Sequence, residues 1–415
     1  MPAQESTEAI TATWRAESAR LVAALTRMTR DVDLAEDLAQ DALVAALESW
    51  PGDGVPANPG AWLMTTAKRR GVDQFRRAEN LRRKTALLAL DERQDMSDLD
   101  AQVDHIEDDV LRLVFLTCHP ALSPESRAAL TLRLVCGLTT AEIARGFLAA
   151  ESAVAQRISR AKRTLGEAGA TFELPAGAER EQRLDDVMAV VYLVFNEGYA
   201  ATSGDSWTRP ELAHEGVRLA RMLAELAPAE PEVHGLQALV ELQASRLPAR
   251  LDPDGRPVLL EDQDRTLWDR ALIGRGLAAL ARAEAIAAGG TPVGRYFLQA
   301  SIAAQHTREP TDWRRIAALY DALAVAAPGP VVEVNRAVAH GRAFGPAAGM
   351  AVLDAVAPAA LAGSPLVPSV RGDLLERAGR HREAAAAFAE AADRSRNAGE
   401  RSVLERRAGE NRARA

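Results

Sequence analysis

One stretch of this chain concentrates side chains suited to handling a nucleic acid. It runs from Asn58 through Trp62, Lys68, Arg69, Arg70, Asp73, Phe75 and Arg76 to Arg77. Asn58 suits a helix cap, and Pro59 suits the first turn, where its missing N–H has no partner to lose. At about 100° per residue, Met64, Lys68, Gly71 and Phe75 fall on one side of such a helix. Trp62, Thr66, Arg69, Arg70, Asp73, Arg76 and Arg77 crowd onto the other. An indole among guanidiniums can stack on unpaired bases while the cations pair with phosphates. Taken alone, the same face reads equally as a solvated basic surface with its tryptophan folded inward.

A second set of residues lies further along. Thr139-Thr140-Ala141-Glu142 is a capping box that opens a short helix over 142–147. A turn at 148–150 leads into a helix over 151–165, in which Val154, Ile158, Ala161 and Leu165 share the inner face. Ser152, Gln156, Ser159, Arg160 and Arg163 point outward, with Arg157 at the edge. This is a helix-turn-helix pattern, and Gln and Arg are the residue types that read base edges in a major groove.

The elements that must hold these sets are helical throughout. Residues 9–50 read as two helices, the first with Trp14, Leu21, Val22 and Leu25 inward, the second capped by Asp31 or Asp33 with Leu34, Leu38, Leu43 and Leu47 inward. The second helix carries Glu36, Asp37, Gln40 and Asp41, which as a bare pattern is an acidic solvent face. Residues 51–59 form a Pro- and Gly-rich loop. From Asp91 to Asp109 nine acidic residues face a single Arg93, the composition of a linker that resists compaction. The expected layout is all-α: a helical module over 9–84, an acidic linker over 85–107, the helix-turn-helix module over 108–168, and a helical-repeat part over 180–415.

Composition narrows the function. A chain of 415 residues allows about two to four domains. The net charge of −8 excludes a generic polyanion binder, and all three lysines, Lys68, Lys84 and Lys162, sit within arginine clusters of the first two modules. Two cysteines, Cys118 and Cys136, exclude a disulfide framework and fit a reducing cytoplasm. The N-terminus is acidic rather than a secretory leader, and no apolar run approaches the roughly 18–20 residues of a membrane span. No paired metal motif, phosphate loop or nucleophile elbow occurs, so no cofactor, metal or catalytic residue is expected, and Cys118-His119 reads as core.

In the C-terminal part three segments begin alike at Pro231, Pro330 and Pro365, the last two near a period of about 34 residues. The order Gly379, then Glu383-Ala384, then Ala387-Phe388 and Ala391, is what stacked helix pairs need for close packing. Before it stands Asn196-Glu197-Gly198-Tyr199. These residues with His214 could line a polar pocket in which Glu197 acts as a base. The alternative, and the favoured one, is a helix C-terminal turn with Gly198 left-handed and the other side chains gripping a neighbouring module.

Three strings resemble extracytoplasmic-function sigma factors of bacterial RNA polymerase. Glu36-Asp37-Leu38-Ala39-Gln40-Asp41 is similar to their region 2.2, and Ala61-Trp62-Leu63 with Val72-Asp73, Phe75, Arg76 and Arg77 is similar to the rest of region 2. This chain has Arg69 where that family usually has Asn. Gly137-Leu138-Thr139, Glu142-Ile143-Ala144 and Arg157-Ile158 with Arg160-Ala161-Lys162 resemble region 4. The whole chain resembles the subgroup with a tetratricopeptide-like extension. The resemblance implies a non-enzymatic, cytoplasmic subunit whose partners are promoter DNA and the β′ and β subunits of core polymerase. It assigns Glu36, Asp37, Gln40 and Asp41 to docking on polymerase. Trp62, Arg69, Arg70, Asp73, Arg76 and Arg77 go to the −10 element, and Ser152, Gln156, Arg157, Arg160 and Arg163 to the −35 element. The repeats, through Asn196, Glu197, Gly198 and Tyr199 or a regulatory protein, would modulate activity. The alternative is a one-component helix-turn-helix regulator whose repeats sense a ligand or protein.

Overall fold

Helix follows helix wherever a capping residue precedes an apolar stripe. A computed structural model of the chain describes residues 3–85, 106–147, 149–199, 208–253, 255–356, 361 and 363–415. The acidic run over 86–105 and Leu148 in the helix-turn-helix turn lie outside the described residues. Among those described there is no strand, only one antiparallel bridge between Leu251 and Pro257. The chain divides into two units after Val190.

The first unit opens with α1 (Ala3–Thr29), α2 (Val32–Asp53) and α3 (Pro59–Thr85). Asp31 caps α2, its Oδ1 accepting the N–H groups of Asp33 at 2.9 Å and Leu34 at 3.1 Å. Asn58 caps α3 by accepting the N–H of Ala61 at 3.0 Å. Leu21, Leu25, Leu38, Trp50, Leu63 and Ala67 form the shared core. The inward face of α2 is rotated from the expected leucine stripe. Ala35, Leu38, Ala39, Ala42, Ala46 and Trp50 are buried, and Leu47 is 45% exposed. Small alanines let α1 and α3 approach α2 closely, which a leucine stripe would prevent. The helix also continues through Pro51 into the expected loop and ends at Gly54, whose φ is +88°.

Next come α4 (Ile106–Thr117), α5 (Pro124–Leu134), α6 (Thr140–Gly146) and α7 (Glu151–Glu167). Ser123 caps α5, and the capping box of α6 is complete. Thr139 Oγ1 accepts the Glu142 N–H at 3.2 Å, and Glu142 Oε2 accepts the Thr139 N–H at 2.8 Å. Val154, Ile158, Ala161 and Leu165 are the buried residues of α7, as their spacing requires. The unit closes with the first half of α8 (Gly177–Tyr199), where Arg183 donates to the Phe115 carbonyl at 2.7 Å and Asp186 pairs with Arg127 at 2.8 Å.

The second unit continues α8 into α9 (Pro210–Leu226), α10 (Pro231–Ala244), α11 (Arg270–Ala287) and α12 (Arg295–Gln305). Here α10 is the hub, packed by α9, α11 and α12. Its Glu232 caps α12 from outside, accepting the N–H groups of Gly294 and Tyr296 at 2.8 Å and of Phe297 at 3.2 Å. Then follow α13 (Trp313–Ala326), α14 (Pro330–Phe344), α15 (Pro346–Asp354), α16 (Leu366–Arg377), α17 (His381–Arg394) and α18 (Ala398–Arg414), each packed on the next. Pro231 and Pro330 stand at the first position of their helices, and Pro365 immediately precedes α16.

Candidate functional site

The basic face expected of α3 is present, with its tryptophan seated at one edge. Leu63, Ala67 and Gly71 turn inward, while Arg69, Asp73 and Arg76 are exposed. Trp62 is half-buried, its ring meeting Trp50 edge-on at 5.4 Å. Arg70 reaches back to Asp41 of α2 at 3.4 Å. The side chain of Arg77 lies outside the described residues. On α7, Ser152, Gln156, Ser159, Arg160 and Arg163 are all exposed and Arg157 is half-buried. The two faces differ in composition: one pairs an aromatic ring with cations, the other offers Gln, Ser and Arg in helical register.

The acidic face of α2 needs correction. Asp37 and Asp41 are exposed and Gln40 is half-buried, but Glu36 is only 7% exposed. It points inward from the expected docking surface because two cations hold it there. Arg133 Nε of α5 lies 2.6 Å from Glu36 Oε1, and Lys162 Nζ of α7 lies 2.6 Å from Glu36 Oε2 and 2.6 Å from Asp33 Oδ1. Gln40 adds its amide to Glu36. Burial pulls the Lys162 ammonium down, but Glu36 and Asp33 outweigh it and hold the group above its ordinary value. Burial raises the Asp37 carboxyl, with Lys162 opposing and Glu36, Asp33 and Asp41 adding to the rise.

The same join has further ties. Arg15 of α1 pairs with Glu142 at 2.9 Å, and Arg27 pairs with Asp109 at 3.2 Å. Trp14 donates its indole N–H to the Gly137 carbonyl at 2.9 Å. Gly137 holds φ at +68°, and a Cβ there would stand 2.6 Å from Ser18 Oγ, so glycine is required twice over. Arg133 was not singled out by sequence pattern, and Asp33 only as a candidate cap of α2. Lys162 carried one signal, as one of three lysines in an arginine-rich chain.

The Asn196–Tyr199 motif is also rearranged. Gly198 remains inside α8 rather than ending it left-handed. A Cβ on it would lie 2.2 Å from the Ala213 backbone nitrogen, so its role is to let α9 cross at backbone contact. Glu197 forms an ion pair with Arg209. His214 is exposed and Asn196 half-buried, so a pocket built on Glu197 and His214 is not assembled. Tyr199 is buried, stacked on Phe195 at 5.5 Å and faced by the guanidiniums of Arg246 at 5.7 Å and Arg250 at 3.9 Å. Among the described residues, no cluster of three or more His, Cys, Asp or Glu could hold a metal ion, and no helix is long and apolar enough to cross a membrane.

Three family models match the chain. Sigma-70 region 2 covers residues 14–80, Sigma-70 region 4 covers residues 112–165, and a family of unknown function, DUF6596, covers residues 183–284. An uncharacterised protein of Rhizobium meliloti is 42% identical over 391 residues, spanning 92% of this chain and 90% of its own length. A probable ECF RNA polymerase sigma factor, SigI of Mycobacterium tuberculosis, is 29% identical over 50% of this chain and 68% of its own length. The ECF RNA polymerase sigma factor SigK of a Mycobacterium species is 30% identical over 34% of this chain and 72% of its own length. No solved structure matches.

Proposed function

The chain belongs to the extracytoplasmic-function class of RNA polymerase sigma factors, and from that premise we propose how its surfaces divide the work of initiating transcription. Asp37, Gln40 and Asp41 on α2 dock on the β′ subunit of core polymerase, with β completing the contact, and Glu36 joins them when its cations release it. The α3 face takes the −10 element. Trp62 offers a ring edge for an unstacked base, and Arg69, Arg70, Arg76 and Arg77 neutralise the backbone of the separated strand beside Asp73. The α7 face takes the −35 element as duplex, with Gln156, Arg160 and Arg163 toward base edges and Ser152 and Arg157 toward phosphates.

The observation that carries this reading is the division of α7. Val154, Ile158, Ala161 and Leu165 are buried, and Ser152, Gln156, Ser159, Arg160 and Arg163 on its other side are exposed. As a sigma factor the chain contributes binding rather than bond-making chemistry. The second unit sets the level of activity from within the chain or by receiving a regulatory protein, with Asn196, Glu197, Gly198 and Tyr199 fixing its first turn.

The test is transcription in vitro with purified core polymerase and the full chain. Arg160→Ala and Arg163→Ala should abolish selection of the −35 element, and Trp62→Ala with Arg69→Ala should abolish permanganate reactivity at the −10 element while duplex binding persists. Equal loss of both activities in both variants refutes the division. If the second unit sets the level of activity, Glu197→Gln changes transcript yield with −35 binding intact.

A further inference from the structure

The first unit contains two separately matched modules, α1–α3 and α4–α7, and they are fastened to each other. The fastening is made largely of charges that cross from one module to the other. Glu36 and Asp33 of α2 hold Lys162 of α7, and Glu36 also holds Arg133 of α5, each contact at 2.6 Å. Arg15 of α1 reaches Glu142 of α6 at 2.9 Å, and the Trp14 indole N–H donates to the Gly137 carbonyl at 2.9 Å. The side chains of Glu36 and Lys162 are 9% and 11% exposed, so this pair is enclosed by the join. In the same join α1 packs on α4. An interface this polar is of the separable kind, since each group that loses its partner regains water.

The joined modules are too close together for the work proposed for them. By their positions, the −10 and −35 elements lie about 25 base pairs apart, ~80 Å of duplex at about 3.4 Å per base pair. Duplex DNA does not fold back over that length, because its persistence length is about 150 base pairs. The closed unit spans far less. On one side Arg70 of α3 touches Asp41 of α2 at 3.4 Å, and on the other Lys162 of α7 touches Glu36 of the same helix. Along that path only α2 lies between the two DNA-facing surfaces. Three helix diameters, about 30–36 Å, then bound their separation. A closed molecule reaches one element or the other, and not both.

We propose that the contacts tying α2 to α5 and α7 form an autoinhibitory clasp, which opens before the chain holds both promoter elements. The proposal rests on the assignment of α3 to the −10 element and α7 to the −35 element. It adds a coupling between opening and docking. Glu36 belongs to the docking set of α2, so core polymerase competes with Arg133 and Lys162 for one carboxylate. Polymerase binding therefore opens the clasp, and an opened clasp binds polymerase more tightly by the same factor. Ser152, Gln156, Arg160 and Arg163 are exposed in the closed form, so closure blocks spanning of the promoter and not binding to a −35 duplex.

The test uses the full chain with spin labels on Asp53→Cys at the end of α2 and Ala168→Cys just after α7. Both positions are exposed, and the native Cys118 and Cys136 are buried. Pulsed dipolar spectroscopy should give a short distance in the free protein. With core polymerase and a promoter carrying both elements, that distance should grow by at least about 20 Å. Arg133→Met removes the α5 arm of the clasp, and Arg15→Ala with Trp14→Phe loosens the join at α6 and Gly137. Each variant should bind core polymerase at least about threefold more tightly, with affinity for an isolated −35 duplex unchanged. Arg15 is exposed, so the second variant keeps the test alive should Arg133→Met misfold. A distance that stays short in a transcribing complex overturns the clasp and leaves the promoter assignment standing. So does polymerase binding no tighter than wild type in folded variants. A wild-type chain that selects neither element sinks the assignment, and the clasp with it.

Discussion

In the first unit Asp33 and Glu36 meet Arg133 and Lys162 at 2.6 Å, acids and bases in equal number. In the second, Arg246 and Arg265 are half-buried and have no carboxylate partner among the described residues. Glu36 and Lys162 are withdrawn from water and carry a desolvation cost, whereas Arg246 and Arg265 keep part of their hydration. The first group offsets that cost from within the chain. A self-balanced cluster works as a fastener between helices, here tying α2 to α5 and α7. Half-exposed charges leave their hydration to water and fasten little.

The largest effect should come from unbalancing the balanced cluster. Glu36→Ala strips Arg133 of its carboxylate and leaves Lys162 only the exposed Asp33, a change that costs about 3–5 kcal/mol. Urea unfolding of the full chain should lose that much in its first-unit transition. A loss of less than about 1 kcal/mol, the range of exposed pairs, would erase the contrast. The next effect is a pH dependence in the second unit. The pKa of His306 stands at about 4 in the fold against an ordinary 6.5. The unfolded chain therefore takes up a proton that the fold refuses. Stability falls as pH drops below 6.5 and stops falling below about 4, a total of roughly 3 kcal/mol. Thermal melts across that window should show the decline, and His306→Phe should flatten it.

Solvated charges supply the lower end of the scale. Arg160→Ala on the exposed face of α7 should weaken duplex −35 binding by about 1–3 kcal/mol, while stability changes by less than about 0.5 kcal/mol. Fluorescence anisotropy with a −35 duplex, read beside a urea melt, separates the two. Smallest is the pair Asp41–Arg70, balanced like the first cluster but with side chains 59% and 39% exposed. Asp41→Asn should change stability by no more than about 0.5 kcal/mol, and a urea melt showing several times that would mean the pair is less wet than its exposure implies.

Local chemistry was plain in the sequence, and long-range pairing was not. Asp31, Asn58 and the Thr139–Glu142 box each cap the helix that their spacing indicates. The inner and outer faces of α7 follow from its period. Glu36 misled because its partner Arg133 is 97 residues away, and a helical wheel cannot show what a third helix brings. Leu47 misled because alanines, weak in hydrophobic pattern, line the closest helix contact on α2. Gly198 sat where a helix stop looks natural, but its purpose is set by α9 passing over it. The cations facing Tyr199, Arg246 and Arg250, flank one short turn that carries no motif of its own.

Lys162 gives the join between α2 and α7 a built-in chemical reporter. The chain has only three lysines, so amine-reactive labels find few targets. Acylation requires the neutral amine, and Lys162 has its side chain 11% exposed and its ammonium held above the ordinary pKa, so it is shielded both sterically and by protonation. Lys68, half-buried on α3, offers an internal standard in the same chain. A brief pulse of acetylating reagent followed by mass spectrometry would then register any event that parts α2 from α7 as a covalent mark at one residue, readable in whole cells without a fused label.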